Sequence, residues 1–132
     1  CRTRTHCHTL AEMISVYGVE ARAVTGKTAK AKRKADVRSL RDGTLSVACA
    51  TSIADEALDV PRLSYVALAS PQRARAATMQ RLGRLLRLWS GKKPILDDFV
   101  DGEVALLAKR AAARCKVYVE SGLLEPTERK RL

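Results

Sequence analysis

The stretch "TAKAKRKADVRSLRDGTLSVACAT", residues 28–51, decides the fold of this chain. Its first part places Arg33, Val37 and Leu40 at i, i+4 and i+7, which predicts a helix that turns these residues toward a core. Gly43 comes next, and a glycine just past a periodic segment commonly ends a helix. The apolar run "TLSVACAT" then predicts a buried strand. A helix that leads into a buried strand is typical of βαβ units.

The same alternation continues on both sides of this stretch. Strands are predicted in "VEARAV", "SYVALASP" and "KKPILDDFV". Three more helices are predicted, each with a core-facing stripe. The stripes are Leu10, Met13, Ile14 and Tyr17 in "THCHTLAEMISVYG"; Thr78, Met79, Leu82, Leu85, Leu86 and Trp89 in "RARAATMQRLGRLLRLW"; and Val104, Leu107, Ala108, Ala111, Ala112, Cys115 and Val119 in "GEVALLAKRAAARCKVYVESG". This order predicts an α/β fold with a mainly parallel sheet and helices on both faces.

Composition and charge narrow the class of protein. The chain has 132 residues, and its 25 Lys and Arg against 14 Asp and Glu give a formal charge of +11. Such an excess indicates an anionic partner, most simply nucleic acid, although a basic domain with no such partner stays an alternative. No apolar run reaches the roughly 20 residues of a membrane span. We expect a cytoplasmic monomer with one domain at 1–122, a basic tail at 123–132, and an element that begins upstream of Cys1.

The segment "QRLGRLLR", residues 80–87, has an unusual polar stripe. On a helix, Gln80, Gly83, Arg84 and Arg87 lie nearly opposite the leucines. An interior glycine costs a helix about 1 kcal/mol relative to alanine. The usual reason to accept this cost is the close approach of another backbone or a ligand. A basic surface helix with an incidental glycine is the alternative.

Two other motifs resemble known sites without matching them. "VTGKT" resembles the end of a Walker A loop, but Ala21 stands where that loop needs its first glycine. "CRTRTHCH" offers Cys1, His6, Cys7 and His8, yet structural zinc sites draw ligands from two separate knuckles. We therefore expect neither a phosphate cradle nor a metal site, and we expect reduced thiols.

The order of these segments resembles the C-terminal RecA-like lobe of a superfamily 2 DNA helicase of the DEAD/DEAH-like phage and bacterial type. "ATSIADEALDVP" resembles the family's motif V, and "QRLGRLLR" resembles its motif VI. "CRTRTHCHTLAEMI" resembles motif IV and the adjoining helix. The resemblance implies a three-layer fold of the P-loop NTPase type that covers the chain from Cys1 to about residue 101.

In this family ATP with Mg²⁺ is held mainly by the first lobe, which this chain lacks, and motif VI reaches across the cleft. The resemblance implies that Arg87 is the arginine finger, that Arg84 is a second phosphate-facing arginine and that Gln80 couples them to the nucleotide. It also places Asp59 near the nucleotide sugar. Gly83 would let the helix approach the facing lobe.

The resemblance also implies contacts to the DNA backbone without sequence preference. The residues concerned are Thr51, Ser52, Arg2, Thr3 and Arg4. The family commonly has glycine where Ala57 stands, so no role is assigned there. The basic face of Lys30, Lys34, Arg38 and Arg41 is either a further DNA contact or a solvated surface.

The function that follows is half of an ATP-dependent DNA helicase or translocase, which would not hydrolyse ATP without its first lobe. The alternative is a non-catalytic, basic nucleic-acid-binding module that keeps the fold. A small enzyme with a complete nucleotide site is disfavoured, because neither G-x-x-x-x-G-K-[ST] nor G-x-G-x-x-G is present.

Overall fold

The computed structural model describes residues 1–51, 60–69 and 75–124. Helices and strands follow one another along these ranges as α1 (Arg4–Val16), β1 (Ala21–Val24), α2 (Lys30–Asp42), β2 (Val47–Ala50), β3 (Tyr65–Leu68), α3 (Arg75–Leu85), β4 (Ile95–Asp98) and α4 (Ala105–Glu120). Each predicted strand and each predicted helix has its counterpart here. The predicted site residues Ser52 and Asp59 lie outside the described residues, as do Ala57 and the tail from 125 to 132.

The first half of the fold is a three-layer unit around β1 and β2. The two strands are parallel, with Ala21 opposite Val47 and Val24 opposite Ala50. Cys49 packs under α1 together with Cys7 and Ala11. Alternate strand residues face opposite sides of a sheet. Accordingly, a second cluster on the other face joins α2 to Leu45, Ala48 and Val60. The predicted arrangement of helices on both faces is confirmed for this unit.

The second half pairs β3 with β4, again in parallel, with Tyr65 opposite Ile95. Leu96 of β4 packs against Leu82 of α3 and against Val117 and Tyr118 of α4. Within the described ranges, the strands form two separate two-stranded parallel sheets rather than one continuous sheet.

The chain starts beside the carboxyl end of β2. The backbone N–H groups of Val47 and Thr51 donate to β1, to Glu20 O and Val24 O. Alternate residues of a strand direct their backbone groups to opposite neighbours, so the carbonyl of Ala50 points away from β1. The backbone nitrogen of Cys1 donates to that carbonyl at 2.8 Å. Residues 1–4 and Thr51 therefore lie at the same edge.

Several residues predicted to face the core do not. On α1 the buried residues are Cys7 and Ala11, whereas Met13 is 57% exposed and Tyr17 is 84% exposed. The prediction for Met13 and Tyr17 was wrong because it followed the larger apolar side chains. The small strand residues Ala21 and Ala23 instead let the small side chains of α1 approach the sheet closely.

The same kind of error occurs on the last two helices. α3 ends at Leu85, so Leu86 and Trp89 lie beyond the helix and are largely exposed, as is Met79 within it. Val104, just before α4, and Ala112 within it are exposed rather than inward. Among the described helices, none has both the length and the apolar character needed to cross a bilayer.

Candidate functional site

Four of the five predicted nucleic-acid residues are described by the structure, and they lie together at the carboxyl end of β2. Thr51 directly follows the strand, and the bond from Cys1 to Ala50 places Arg2 and Arg4 beside it. Both arginines are exposed. The result is an edge with two cationic side chains next to a strand-end hydroxyl.

Each of the two threonines at this edge has its own environment. The Thr3 hydroxyl accepts a hydrogen bond from His6 N at 3.2 Å and thereby caps α1, which is the usual work of a threonine at this position. The hydroxyl oxygen of Thr51 is enclosed, and the described residues give it no hydrogen-bond partner. A buried hydroxyl without a partner is unfavourable by about 1–3 kcal/mol. Thr51 is therefore the polar group at this edge that would gain most from a ligand.

The loop after β1 has a structural role of its own. Thr25 N donates to the Thr28 hydroxyl at 3.0 Å, and Thr28 N donates back to Thr25 O at 3.0 Å. These two N–H groups of "VTGKT" are used to close a turn, whereas a phosphate cradle would direct such groups outward. The loop holds the start of α2 against β1.

The polar stripe of motif VI lies along α3. Gln80 and Gly83 are exposed, Arg84 is half-buried in the last helical turn, and Arg87 is exposed just past the helix end. Leu82 and Leu85, on the other side, are 3% and 2% exposed. The predicted separation of an apolar stripe from a polar one is confirmed for these residues, although Arg87 follows the helix rather than belonging to it.

Topology separates the arginines of α3 from the edge that holds Thr51. α3 connects two parallel strands, so it runs back from the carboxyl end of β3 toward the amino ends of β3 and β4. The segment after it confirms this direction: Lys92 Nζ donates to Pro61 O at 2.9 Å, and Ile95 N donates to Ser64 O at 2.8 Å. The stripe begins near one edge and ends toward the other.

Gly83 has open space around it. A Cβ built on Gly83 would meet no described atom within 4 Å. The backbone φ of Gly83 is also outside the positive range that favours glycine. Nothing in the described part of this chain needs a glycine there. The glycine therefore costs helix stability without an internal benefit.

A buried ionic cluster at the end of β4 was missed by the sequence analysis. Arg114 of α4 donates to Asp98 through Nε at 2.7 Å and Nη2 at 2.9 Å, and Tyr118 OH donates to the same carboxylate at 2.7 Å. Arg114 is 2% exposed and Asp98 is 11% exposed. Burial and the bond to Asp98 raise the pKa of Tyr118 above its usual value. The signal was an arginine within the apolar stripe of α4, together with the acidic end of "ILDD".

A second ionic group lies between β1 and α2. Arg22 donates to the buried Asp36 at 2.9 Å and also pairs with Glu20. The hydrogen bonds to Asp36 and Glu20 raise the pKa of Arg22. This group joins the start of β1 to the middle of α2 and so helps to hold α2 in place.

The thiols of the first half belong to its core. Cys7 and Cys49 are buried in one cluster with the partly exposed Cys1, and all are free thiols. Burial raises the pKa of both Cys7 and Cys49. The described residues contain no group of three or more His, Cys, Asp or Glu side chains arranged to hold a metal ion.

Comparison with known families identifies this arrangement. The profile described as "Helicase conserved C-terminal domain" matches residues 1–88, two thirds of the chain. The chain belongs to the helicase C-terminal domain family. A Sulfolobus islandicus filamentous virus (isolate Iceland/Hveragerdi) protein, named as a helicase, is 36% identical over 84 residues, which is 64% of this chain and 15% of the viral protein.

Cellular helicases also match this helicase C-terminal domain over much of its length. The ATP-dependent RNA helicase DeaD of Mycobacterium tuberculosis (strain CDC 1551 / Oshkosh) is 35% identical over 65 residues, 49% of this chain and 12% of DeaD. The chain thus spans about one seventh or less of the length of these curated relatives. The E. coli DEAD-box protein SrmB, solved with the regulator RraA, aligns with a TM-score of 0.71 at 25% identity, over 85% of this chain and 65% of SrmB. The fold is therefore RecA-like.

Proposed function

We propose that this chain is the second motor lobe of an ATP-dependent helicase and supplies arginines to a catalytic site whose ATP-binding wall lies on another lobe. The observation that carries the proposal is the motif VI stripe. Gln80 and Arg87 are solvent-accessible and Arg84 is partly so, while Leu82 and Leu85 on the opposite side are buried. The family match supports the helicase motor role.

The chemistry of the stripe suits phosphoryl transfer. A guanidinium is permanently charged and can donate to two phosphate oxygens at once. On the resemblance to motif VI we assign Arg87, which lies exposed just past the helix end, as the arginine finger and Arg84 as the second phosphate-facing arginine. An arginine finger is worth about 10³ to 10⁵ in rate in nucleotide hydrolases. Gln80, one turn earlier, would orient the arginines or the attacking water.

The donor set fits part of a nucleotide site and not the whole of it. When bound, ATP with Mg²⁺ supplies the transferable phosphoryl group and the charge that the guanidiniums meet. The stripe offers cationic and amide donors, but a metal also needs oxygen ligands such as carboxylates. We therefore infer that this lobe contacts phosphate oxygens and that Mg²⁺ is held elsewhere. Asp59 remains our proposed neighbour of the nucleotide sugar, and Gly83 our proposed point of close approach.

The edge with Thr51, Arg2 and Arg4 is our proposed track for the nucleic-acid backbone, and the sequence resemblance adds Ser52 to these proposed contacts. Such contacts position a strand without reading its sequence. Thr3 would contribute through its backbone, because its hydroxyl caps α1. The sequence resemblance suggested DNA, but a relative at 35% identity is named as an RNA helicase. We propose RNA as the preferred strand and make the comparison with DNA part of the test.

The test compares the chain alone with a protein that joins it to an ATP-binding lobe of the same superfamily. We expect no ATP hydrolysis by the chain alone, and hydrolysis stimulated by RNA more than by DNA in the joined protein. Robust turnover by the pure chain would contradict the proposal. Nucleic-acid binding that is indifferent to nucleotide in the joined protein would instead indicate a non-catalytic binding module.

A further inference from the structure

A row of positive charge follows the outer side of α2 and continues onto the segment before β3. Lys30, Lys34, Arg38 and Arg41 fall within about 80° of one another at about 100° per residue, and all four are exposed. Val37 and Leu40, on the inner side, are buried against the sheet, which fixes the rotation of the helix. Arg62 extends the row. We call these five residues the cationic row.

Gly43 leaves room for the Arg62 side chain at the end of the row. Its guanidinium lies over Gly43, and its Nη1 donates to Arg41 O at 3.4 Å. A Cβ at position 43 would overlap that guanidinium. Gly43 also has a φ of 82°, the left-handed conformation that favours glycine. Arg62 is therefore placed beside the α2 cations rather than extended into solvent at random.

Two carboxylates of α2 lie on the same helix as the cationic row. In the described part of the chain, Asp42 pairs with Arg38 at 3.8 Å, and both side chains are largely exposed, so the pair is worth about 0–1 kcal/mol. Asp36, the other acidic residue of α2, is buried on the inner side against Arg22. Within the described residues, Lys30, Lys34 and Arg62 have no carboxylate partner, so their charge is available to a polyanion.

The sequence of α2 is poor for helix stability on its own. Lys30 and Lys34, like Lys34 and Arg38, are like charges at i, i+4, which destabilise a helix by about 0.2–0.5 kcal/mol per pair. The N-cap residue Ala29 makes no side-chain cap, and the first turn has no acidic residue, although that end favours negative charge. Local conflicts of this kind are expected where a surface serves function.

We propose that the cationic row binds the sugar–phosphate backbone of RNA, in addition to the edge at Thr51 and independently of nucleotide. The four α2 cations extend over about 16 Å at about 1.5 Å per residue, enough to follow several phosphates. Neither α2 nor residues 60–64 has an exposed large hydrophobic side chain among the described residues. Protein partners usually need an apolar centre in the interface, so the row favours a polyanion.

The test measures binding of labelled oligouridylate to the 132-residue chain without nucleotide, across a range of salt concentrations. Each phosphate contact on a single strand contributes about 0.7 to the slope of log K against log [salt]. We expect the variant K30Q/K34Q to lower that slope by about 1.4, and R62Q to lower it by about 0.7, on the same per-contact value. The matched control K109Q/K116Q removes two exposed lysines from α4 and should leave the slope unchanged.

Three results would overturn the proposal. The slope of K30Q/K34Q could equal that of the parent chain. Alternatively, K109Q/K116Q could lower the slope as much as K30Q/K34Q does, which would make net charge the sole cause. Polyglutamate could displace the RNA at equal charge concentration, which would indicate an acidic protein partner.

Circular dichroism melts of all variants should match the parent, because every substituted side chain is exposed. Loss of ATPase in Arg84 or Arg87 variants tests the motor role and does not affect this result.

Discussion

Asp98 links β4 to α4 in the second half of the fold. Its carboxylate accepts three hydrogen bonds from α4, two of them from an arginine that is 2% exposed. Removing one partner of a buried ion pair costs about 3–5 kcal/mol, because the other charge stays buried and uncompensated. We predict that Asp98→Ala lowers the free energy of unfolding by about this amount, measured by urea denaturation.

The neighbouring acid provides a matched control for that prediction. Asp97 faces the opposite side of β4 and bonds the exposed Tyr65. Asp97→Ala should cost about 1 kcal/mol or less, as for other exposed pairs. Equal losses from the two variants would show that the buried cluster contributes no more than the exposed one.

Tyr118 gives the second half of the fold a predicted alkaline limit. Its pKa is raised by burial and by the bond to Asp98, so the folded state keeps the phenol proton where the unfolded state loses it near pH 10. The stabilisation is therefore complete below about pH 10 and decreases as the pH rises above that value. Tyr118→Phe should reduce this decrease in denaturation experiments at rising pH.

The exposed Tyr17 serves as the control here, because its side chain is 84% exposed. Tyr17→Phe should leave the alkaline decrease as steep as in the parent chain. An equally steep decrease in Tyr118→Phe would contradict the assignment of the effect to this phenol.

Residue burial was predictable where apolar size and spacing agreed, and not where they diverged. Val37 and Leu40 were placed correctly because their spacing and size both indicated one face. Cys7 and Ala11 were missed because alanines in the strands favour small partners on α1. Arg114 was missed because a charged residue is expected at the surface, and only the structure shows its carboxylate partner.

Among the elements, α3 is where stability and proposed function conflict. Gly83 is exposed in the helix interior with open space around it. Glycine there is about 1 kcal/mol less favourable than alanine. We predict that Gly83→Ala raises the free energy of unfolding of this chain by about 0.5–1 kcal/mol, measured by urea denaturation.

The same substitution should reduce ATP hydrolysis in the joined two-lobe protein, because the added methyl group would stand where the facing lobe approaches. A stabilised chain with undiminished hydrolysis would show that the glycine serves no approach of the lobes. A chain destabilised by Gly83→Ala would contradict the open surroundings seen here.

Element order was predictable from sequence, whereas element ends were less so. The change from helical to strand periodicity at Gly43 predicted both α2 and β2, since a left-handed glycine ends the helix there. The end of α3 gave no such signal, because leucine and arginine continue past Leu85. The sequence therefore overextended that helix, and it placed Arg87 on the helix instead of just beyond it.

At the scale of the whole molecule, the fold presents two sets of polar side chains in different places. Thr51 and the cations near Cys1 lie at the carboxyl end of β2, whereas α3 carries Arg84 and Arg87 toward the amino ends of β3 and β4. Two separate sets suit a lobe that contacts a strand and a nucleotide at once.

The most direct test of the central claim is the ATPase rate of the joined two-lobe protein with saturating RNA, for the parent, Arg87→Ala and the control Arg110→Ala. We predict that Arg87→Ala lowers kcat by about 10³-fold or more, as expected for a lost arginine finger, with the fold retained by circular dichroism. Arg110→Ala, on α4, should retain the parent rate. A kcat for Arg87→Ala that equals the parent value would contradict the claim that this chain supplies the catalytic arginine.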